Sequence, residues 1–111
     1  MTYELRELKD QIIVITGATA GMGAATAKEL VAQGAKVVLN ARSEERLQGM
    51  VAELGGENAI YVAGDCSDPE VSRAVAKAAL EKFGTIDAVV PNAGIGMYGS
   101  ILDFIVAVIK Y

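Results

Sequence analysis

The sequence predicts a three-layer α/β/α fold built on a parallel sheet, with elements in the order βαβαβαβ. Three observations carry this expectation. Short apolar runs rich in β-branched residues alternate with longer stretches of helical periodicity. The apolar runs are continuous rather than alternating, as strands covered on both faces require. The stretches between them end on capping residues and are long enough to be crossover helices, which parallel pairing with right-handed connections needs.

Taken in order, "QIIVIT" (Gln11 to Thr16) is the first strand, closed by Gly17. "GMGAATAKELVAQ" reads as a helix with Gly34 in the C′ position. "AKVVLN" is a second buried strand. "SEERLQGMVAEL" follows as a helix, with Ser43 as N-cap, Glu44 and Glu45 in the first turn, and Gly55 and Gly56 at its end. "NAIYVAG" makes a third strand that turns at Gly64. Asp68 caps a helix with Pro69 at its first position, running through "EVSRAVAKAALEKF" to Gly84. "IDAVVP" is the fourth strand. The final "FIVAVIKY" suits a buried strand by its β-branched run, while Ile101, Ile105, Val108 and Ile109 fit one face of a helix; the helix is preferred. Residues 1–111 are expected to form one domain, with no linker and no internal repeat beyond the βα rhythm.

Composition excludes several classes of function. Apolar residues make up 52% of the 111, which is too many for a disordered chain. A net charge of −4 with scattered Lys and Arg argues against nucleic-acid binding, which needs a basic face. Small anions are not excluded, because backbone amides hold them without net positive charge. With one cysteine, Cys66, and no histidine, neither an internal disulfide nor a Cys/His metal cluster is expected. No apolar run approaches the roughly 20 residues needed to span a bilayer. The charged opening "MTYELRELKDQ" does not resemble a secretory signal, so a cytoplasmic protein is expected.

The chemistry-bearing stretch is "ITGATAGMG", where the first strand turns into the first helix. Gly17 permits a tight turn, Gly21 lets the backbone approach a pyrophosphate, and Gly23 lets the helix pack closely on the sheet. The helix N-terminus then points its amides at the anion. Glycines alone are weak evidence. Glycines that follow a strand, open a helix and begin a βα series are strong evidence for a dinucleotide site.

In spacing and sequence the chain resembles the short-chain dehydrogenase/reductase family. Thr16-Gly17-Ala18-Thr19-Ala20-Gly21-Met22-Gly23 matches its Thr-Gly-x-x-x-Gly-x-Gly motif. Asn92-Ala93-Gly94 matches the Asn-Ala-Gly after its fourth strand, although Pro91 stands where the family usually has Asn. Asp65 and Cys66 follow the third strand, where the family has an acidic residue beside the adenine. The resemblance covers about residues 5 to 103. It implies a Rossmann-type fold, a nicotinamide dinucleotide as cofactor, and hydride transfer between it and a carbonyl or alcohol. The residues it places at the cofactor are Gly17, Thr19, Ala20, Gly21, Met22 through its backbone amide, Gly23, Asn40, Arg42, Ser43, Asp65, Cys66, Asn92, Ala93 and Gly94.

The end of the second strand reads "LNARSEE". A ribose 2′-hydroxyl is usually held there by a carboxylate, and a 2′-phosphate by a nearby Arg. Neither Asn40 nor Ala41 is acidic. Arg42 follows with its forked donors, beside Ser43. NADP is therefore expected over NAD, with a solvated loop charge as the plainer reading of Arg42. The other tempting residues have plain readings. Cys66 is a small apolar residue rather than a reactive thiol. Tyr98 lacks a Lys four positions later, and Met22, Met50 and Met97 pack. Glu44, Glu45, Arg46 and Glu53 form a solvated face.

The family's reaction uses a Ser, an Asn and a Tyr-x-x-x-Lys, in which the Lys lowers the phenol's pKa. None of the four tyrosines here has that Lys: Tyr3 precedes Glu7, Tyr61 precedes Asp65, Tyr98 precedes Leu102, and Tyr111 is terminal. No catalytic residue is therefore assigned. The chain looks like the cofactor-binding half of a family member, truncated relative to it and inactive alone. The family's strand order resembles 3-2-1-4-5-6-7, so strand four would form an open edge. That edge and the apolar tail make a homo-oligomer the expected state. Two other readings stay open: a non-catalytic nucleotide-binding or interaction module, and a chain that completes its site with another polypeptide.

Overall fold

Strand β1 (Ile12–Thr16) is buried at all five positions, which requires cover on both faces. The computed structural model describes residues 8–19 and 21–91. It sets β1 between β2 (Lys36–Ala41) and β4 (Ala88–Pro91), with β3 (Ala59–Ala63) beyond β2, in the order β3-β2-β1-β4. All three pairings are parallel, with Val14 level with Val38 and Val89, and Asn40 level with Val62.

Successive strand residues point to opposite faces, and here each face has its own core. Ile13, Ile15, Val37 and Leu39 pack with Ala27 of α1 (Gly21–Ala32) and with Leu47 and Met50 of α2 (Glu44–Leu54). Val14 and Val38 pack with Val75, Ala76 and Ala79 of α3 (Pro69–Phe83). Helices thus cover both faces, as the continuous apolar strands predict. Each fully buried Val, Leu or Ile contributes about 1.5–3 kcal/mol.

The helix ends follow their local chemistry. Gly34 (φ 94°) donates to Val31 O and Ala35 donates to Leu30 O, the paired bonds of a Schellman end to α1. Ser43 caps α2 by accepting from Arg46 N at 3.3 Å, and Asp68 caps α3 by accepting from Glu70 N at 2.9 Å. Caps of this kind contribute about 1 kcal/mol each. Gly84 ends α3 in the left-handed region, with φ 86°.

Two features differ from the sequence reading. A 3-10 turn at Leu8–Asp10 precedes β1. The fourth strand begins at Ala88 rather than Ile86, because Asp87 serves another purpose. Its backbone N–H donates to Ile12 O at 2.8 Å, and its carboxylate Oδ2 accepts from Ile12 N–H at 2.7 Å. This clamp satisfies both main-chain groups at the amino end of the central strand. Ala20, the Asn92-Ala93-Gly94 turn, Tyr98 and the apolar tail lie outside the described residues. Among the described residues β4 pairs with β1 alone, no helix is long and apolar enough to cross a membrane, and no group of acidic, cysteine or histidine side chains could hold a metal ion.

Candidate functional site

Parallel strands place all their carboxyl ends on one edge, and the loops leaving that edge form the usual ligand crevice of open α/β sheets. Among the described residues three loops meet there. The first is the glycine turn after β1. Gly17 adopts φ 65° and Gly21 φ 32°, both in the region that favours glycine. A Cβ built on Gly21 would meet nothing within 4 Å, so the backbone is open to close approach on that side. Gly23 is buried where α1 meets the sheet, in line with its expected packing role. The first turn of α1 carries no acidic residue to oppose an anion. Met22 leaves its side chain 77% exposed. Its side chain is therefore not a packing residue, and the reason is position: it stands in the first turn of α1, on the side away from the sheet.

The second loop leaves β2. Asn40 is 1% exposed, and its amide Nδ2 donates to Val62 O at 3.0 Å and to Gly64 O at 3.2 Å. Its own carbonyl accepts from Ala18 N at 3.0 Å. Asn40 therefore ties the glycine turn, β2 and the end of β3 together. Arg42 follows with its side chain 81% exposed. Ser43 uses its hydroxyl oxygen to cap α2, and a hydroxyl that accepts can still donate its own proton.

The third loop leaves β3 at Gly64, whose N–H donates to Ala41 O at 2.9 Å. Asp65 then folds back on its own loop. Its Oδ1 accepts from Ser67 N at 2.9 Å and from Ser67 Oγ at 2.8 Å, while Oδ2 accepts from Arg42 Nη2 at 3.2 Å. The Ser67 amide and hydroxyl, with Arg42 adding to them, hold the Asp65 carboxyl below its ordinary range. Desolvation, and then the neighbouring Asp65 charge, push the Cys66 thiol up, which fits an unreactive cysteine. Buried Ser72 of α3 anchors the loop by donating its Oγ–H to Cys66 O at 3.3 Å.

The structure thus brings Gly17, Gly21, Asn40, Arg42, Ser43, Asp65 and Cys66 to one edge of the sheet. Thr19 is half-buried in the glycine turn, and Met22 and Gly23 open α1 beside it. The sequence reading did not single out Ser67 or the tie made by the Asn40 side chain. A signal for Ser67 was present, since Asp65-Cys66-Ser67 has the spacing at which an aspartate caps its own turn. A cavity of about 330 Å³ lies at the opposite edge, where Ile12 and Lys36 begin their strands, lined also by Lys9, Asp10, Lys82 and Phe83. Lysines and an aspartate share its open wall, and it is separate from the glycine turn.

The donor set along this edge suits a ligand that carries phosphates. An opened glycine backbone, a helix N-terminus without acidic residues and an exposed guanidinium stand along one edge. The family model described as short chain dehydrogenase matches residues 11–110. An uncharacterised oxidoreductase of Bacillus subtilis, YxnA, is 41% identical over 109 residues, covering 96% of this chain and 31% of its own length. L-rhamnose 1-dehydrogenase (NAD(P)(+)) of a Sphingomonas species is 37% identical over 109 residues, covering 96% of this chain and 43% of its own. Among solved structures, L-sorbose reductase of Gluconobacter frateurii, complexed with NADPH and L-sorbose, superposes with a TM-score of 0.81 at 25% identity. That match covers 90% of this chain and 46% of the reductase. The chain therefore spans less than half the length of these relatives.

Proposed function

The chain belongs to the short-chain dehydrogenase family, and on that premise we propose that it supplies the dinucleotide-binding part of an NADP-dependent oxidoreductase site. The observation that carries the reading is the carboxyl edge of β2. No carboxylate stands at Asn40 or Ala41, and the exposed guanidinium of Arg42 emerges beside the glycine turn and Asp65. A carboxylate there would repel a 2′-phosphate, whereas a guanidinium binds it with paired donors. Gly17, Thr19, Ala20, Gly21 and the amides of Met22 and Gly23 would hold the pyrophosphate. Asn40, Arg42, Ser43, Asp65 and Cys66 would bound the adenosine end, and Asn92, Ala93 and Gly94 would close the pocket. The bound nicotinamide supplies hydride exchange with a carbonyl or alcohol. Proton transfer by a Tyr-x-x-x-Lys pair is absent from these 111 residues, so the chain alone is expected to bind nucleotide without turnover.

Fluorescence titration with NADPH and with NADH tests this reading. Arg42→Ala is expected to weaken NADPH binding about tenfold or more while leaving NADH within about twofold, by loss of charge-assisted hydrogen bonds. Equal weakening of both nucleotides would contradict the phosphate role of Arg42, and binding of neither by the unmodified chain would remove the cofactor reading. NAD is the alternative cofactor, and an NADH preference in the unmodified chain would select it.

A second reading, association of copies of the chain, is favoured by β4. Ala88, Val89 and Val90 are each only partly buried, while β1 beside them is fully buried, and among the described residues β4 has one pairing partner. A strand edge of that composition favours pairing with another chain. Sedimentation at micromolar concentration is expected to show a dimer or larger species; a monomer alone would dismiss this state.

A further inference from the structure

We propose that Asp65 is a specificity-determining residue that acts through Arg42, its carboxylate competing with a ligand's 2′-phosphate for the guanidinium. This inference rests on the cofactor reading of the carboxyl edge and adds to it a reason why discrimination between NADPH and NADH is restrained.

The geometry supports it at each step. Register sets Ala41 level with Ala63, so Arg42, one residue beyond Ala41, and Asp65, two residues beyond Ala63, leave the sheet close together. Asp65 is not a loose surface carboxylate. Ser67 holds its Oδ1 by two hydrogen bonds of 2.9 and 2.8 Å, which leaves Oδ2 presented to Arg42 Nη2 at 3.2 Å. Arg42 is the more exposed partner, its side chain 81% exposed against 47% for Asp65, so a ligand can reach the guanidinium from solvent. A guanidinium offers a fork of donors that suits a carboxylate or a phosphate equally well in shape. A 2′-phosphate arriving at this edge meets a cation already engaged by a fixed anion. Binding then exchanges one partner for the other, and the nearby carboxylate stays behind as a like charge.

The expected effect is modest, since exposed ion pairs are weak and screened by salt. Asp65→Asn keeps the shape and removes the charge. In fluorescence titrations of the full chain, D65N is expected to raise the ratio of NADPH to NADH affinity about two- to fivefold. Any contact of Asp65 with the adenosine shared by both nucleotides cancels in that ratio. In an R42A background the same change is expected to leave the ratio unmoved, because a residue acting through Arg42 loses its effect when Arg42 is gone. A ratio unchanged or lowered by D65N overturns the proposal. So does an equal rise with and without Arg42, which would mean direct repulsion instead. If both nucleotides bind and only the ratio fails to respond, the competition is wrong and the cofactor reading stands. If the unmodified chain binds neither, both are wrong.

Discussion

Gly64→Ala is expected to destabilise the protein by about 2–4 kcal/mol, combining backbone strain with a steric clash. Gly64 has φ 147°, a conformation that residues with a Cβ rarely adopt. A Cβ there would stand 2.8 Å from Val71 Cγ2 and 3.0 Å from Cγ1. Val71 sits in the first turn of α3 and is β-branched, so it has one comfortable rotamer and cannot swing aside. Relief therefore requires α3 to move from the end of β3. The consequence extends to the site, because Gly64 bonds Ala41 O through its N–H and accepts from Asn40 Nδ2. Asp65 is the next residue. Urea denaturation should show the midpoint falling with little change in slope. A loss below about 1 kcal/mol would mean that β3 and α3 accommodate the methyl group, and the account of this corner would be wrong.

Leu47→Ala is expected to cost about 2–5 kcal/mol, the range for emptying a fully buried leucine site. Leu47 is 0% exposed, and with Met50 it is one of two buried residues in α2. The rest of that helix is polar or only partly buried, with Val51 and Leu54 adding partly buried contacts to the same core. A domain is stable by roughly 5–15 kcal/mol in total, which makes this one side chain a large share. Leu47→Met keeps the volume and should cost less than about 1.5 kcal/mol. Because Arg42 and Ser43 precede α2 directly, Leu47→Ala should also weaken nucleotide binding more than Leu47→Met does. Identical denaturation midpoints for the two variants would refute the packing argument.

Much of this molecule is legible in its amino-acid sequence. The strand order, the parallel pairing, the N-caps at Ser43 and Asp68, and the glycine ends at Gly34, Gly55 and Gly84 all agree with the sequence reading. The caps and the glycine ends depend on residues only a few positions apart: a capping oxygen reaches an amide two or three residues on, and a glycine relieves its own φ. The strand order came with the family resemblance, and the parallel pairing with the alternation of strands and helices. Boundaries were less legible. Asp87 sits within the apparent strand "IDAVVP", yet its carboxylate caps the start of β1, 75 positions earlier in the chain. Nothing in its neighbours announces that. The Asn92-Ala93-Gly94 turn and the apolar tail lie outside the described residues, and their expected roles stand as proposals.

The candidate site divides in the same way. Residue order alone shows that a glycine turn opens the first helix after a buried strand and that no carboxylate ends the second strand. It also shows that the proton-transfer pair of the family is absent from these residues. These are statements about residue types at short, fixed spacings. It takes the folded chain to show that Arg42 meets Asp65 23 positions away, that Asn40 turns its amide to the carbonyls of Val62 and Gly64, and that Gly64 abuts Val71. Those contacts depend on the register of β2 against β3 and on how α3 docks over them. A one-residue slip of that register would send every side chain to the opposite face, and which residues lie level is decided only where segments distant in sequence pack together.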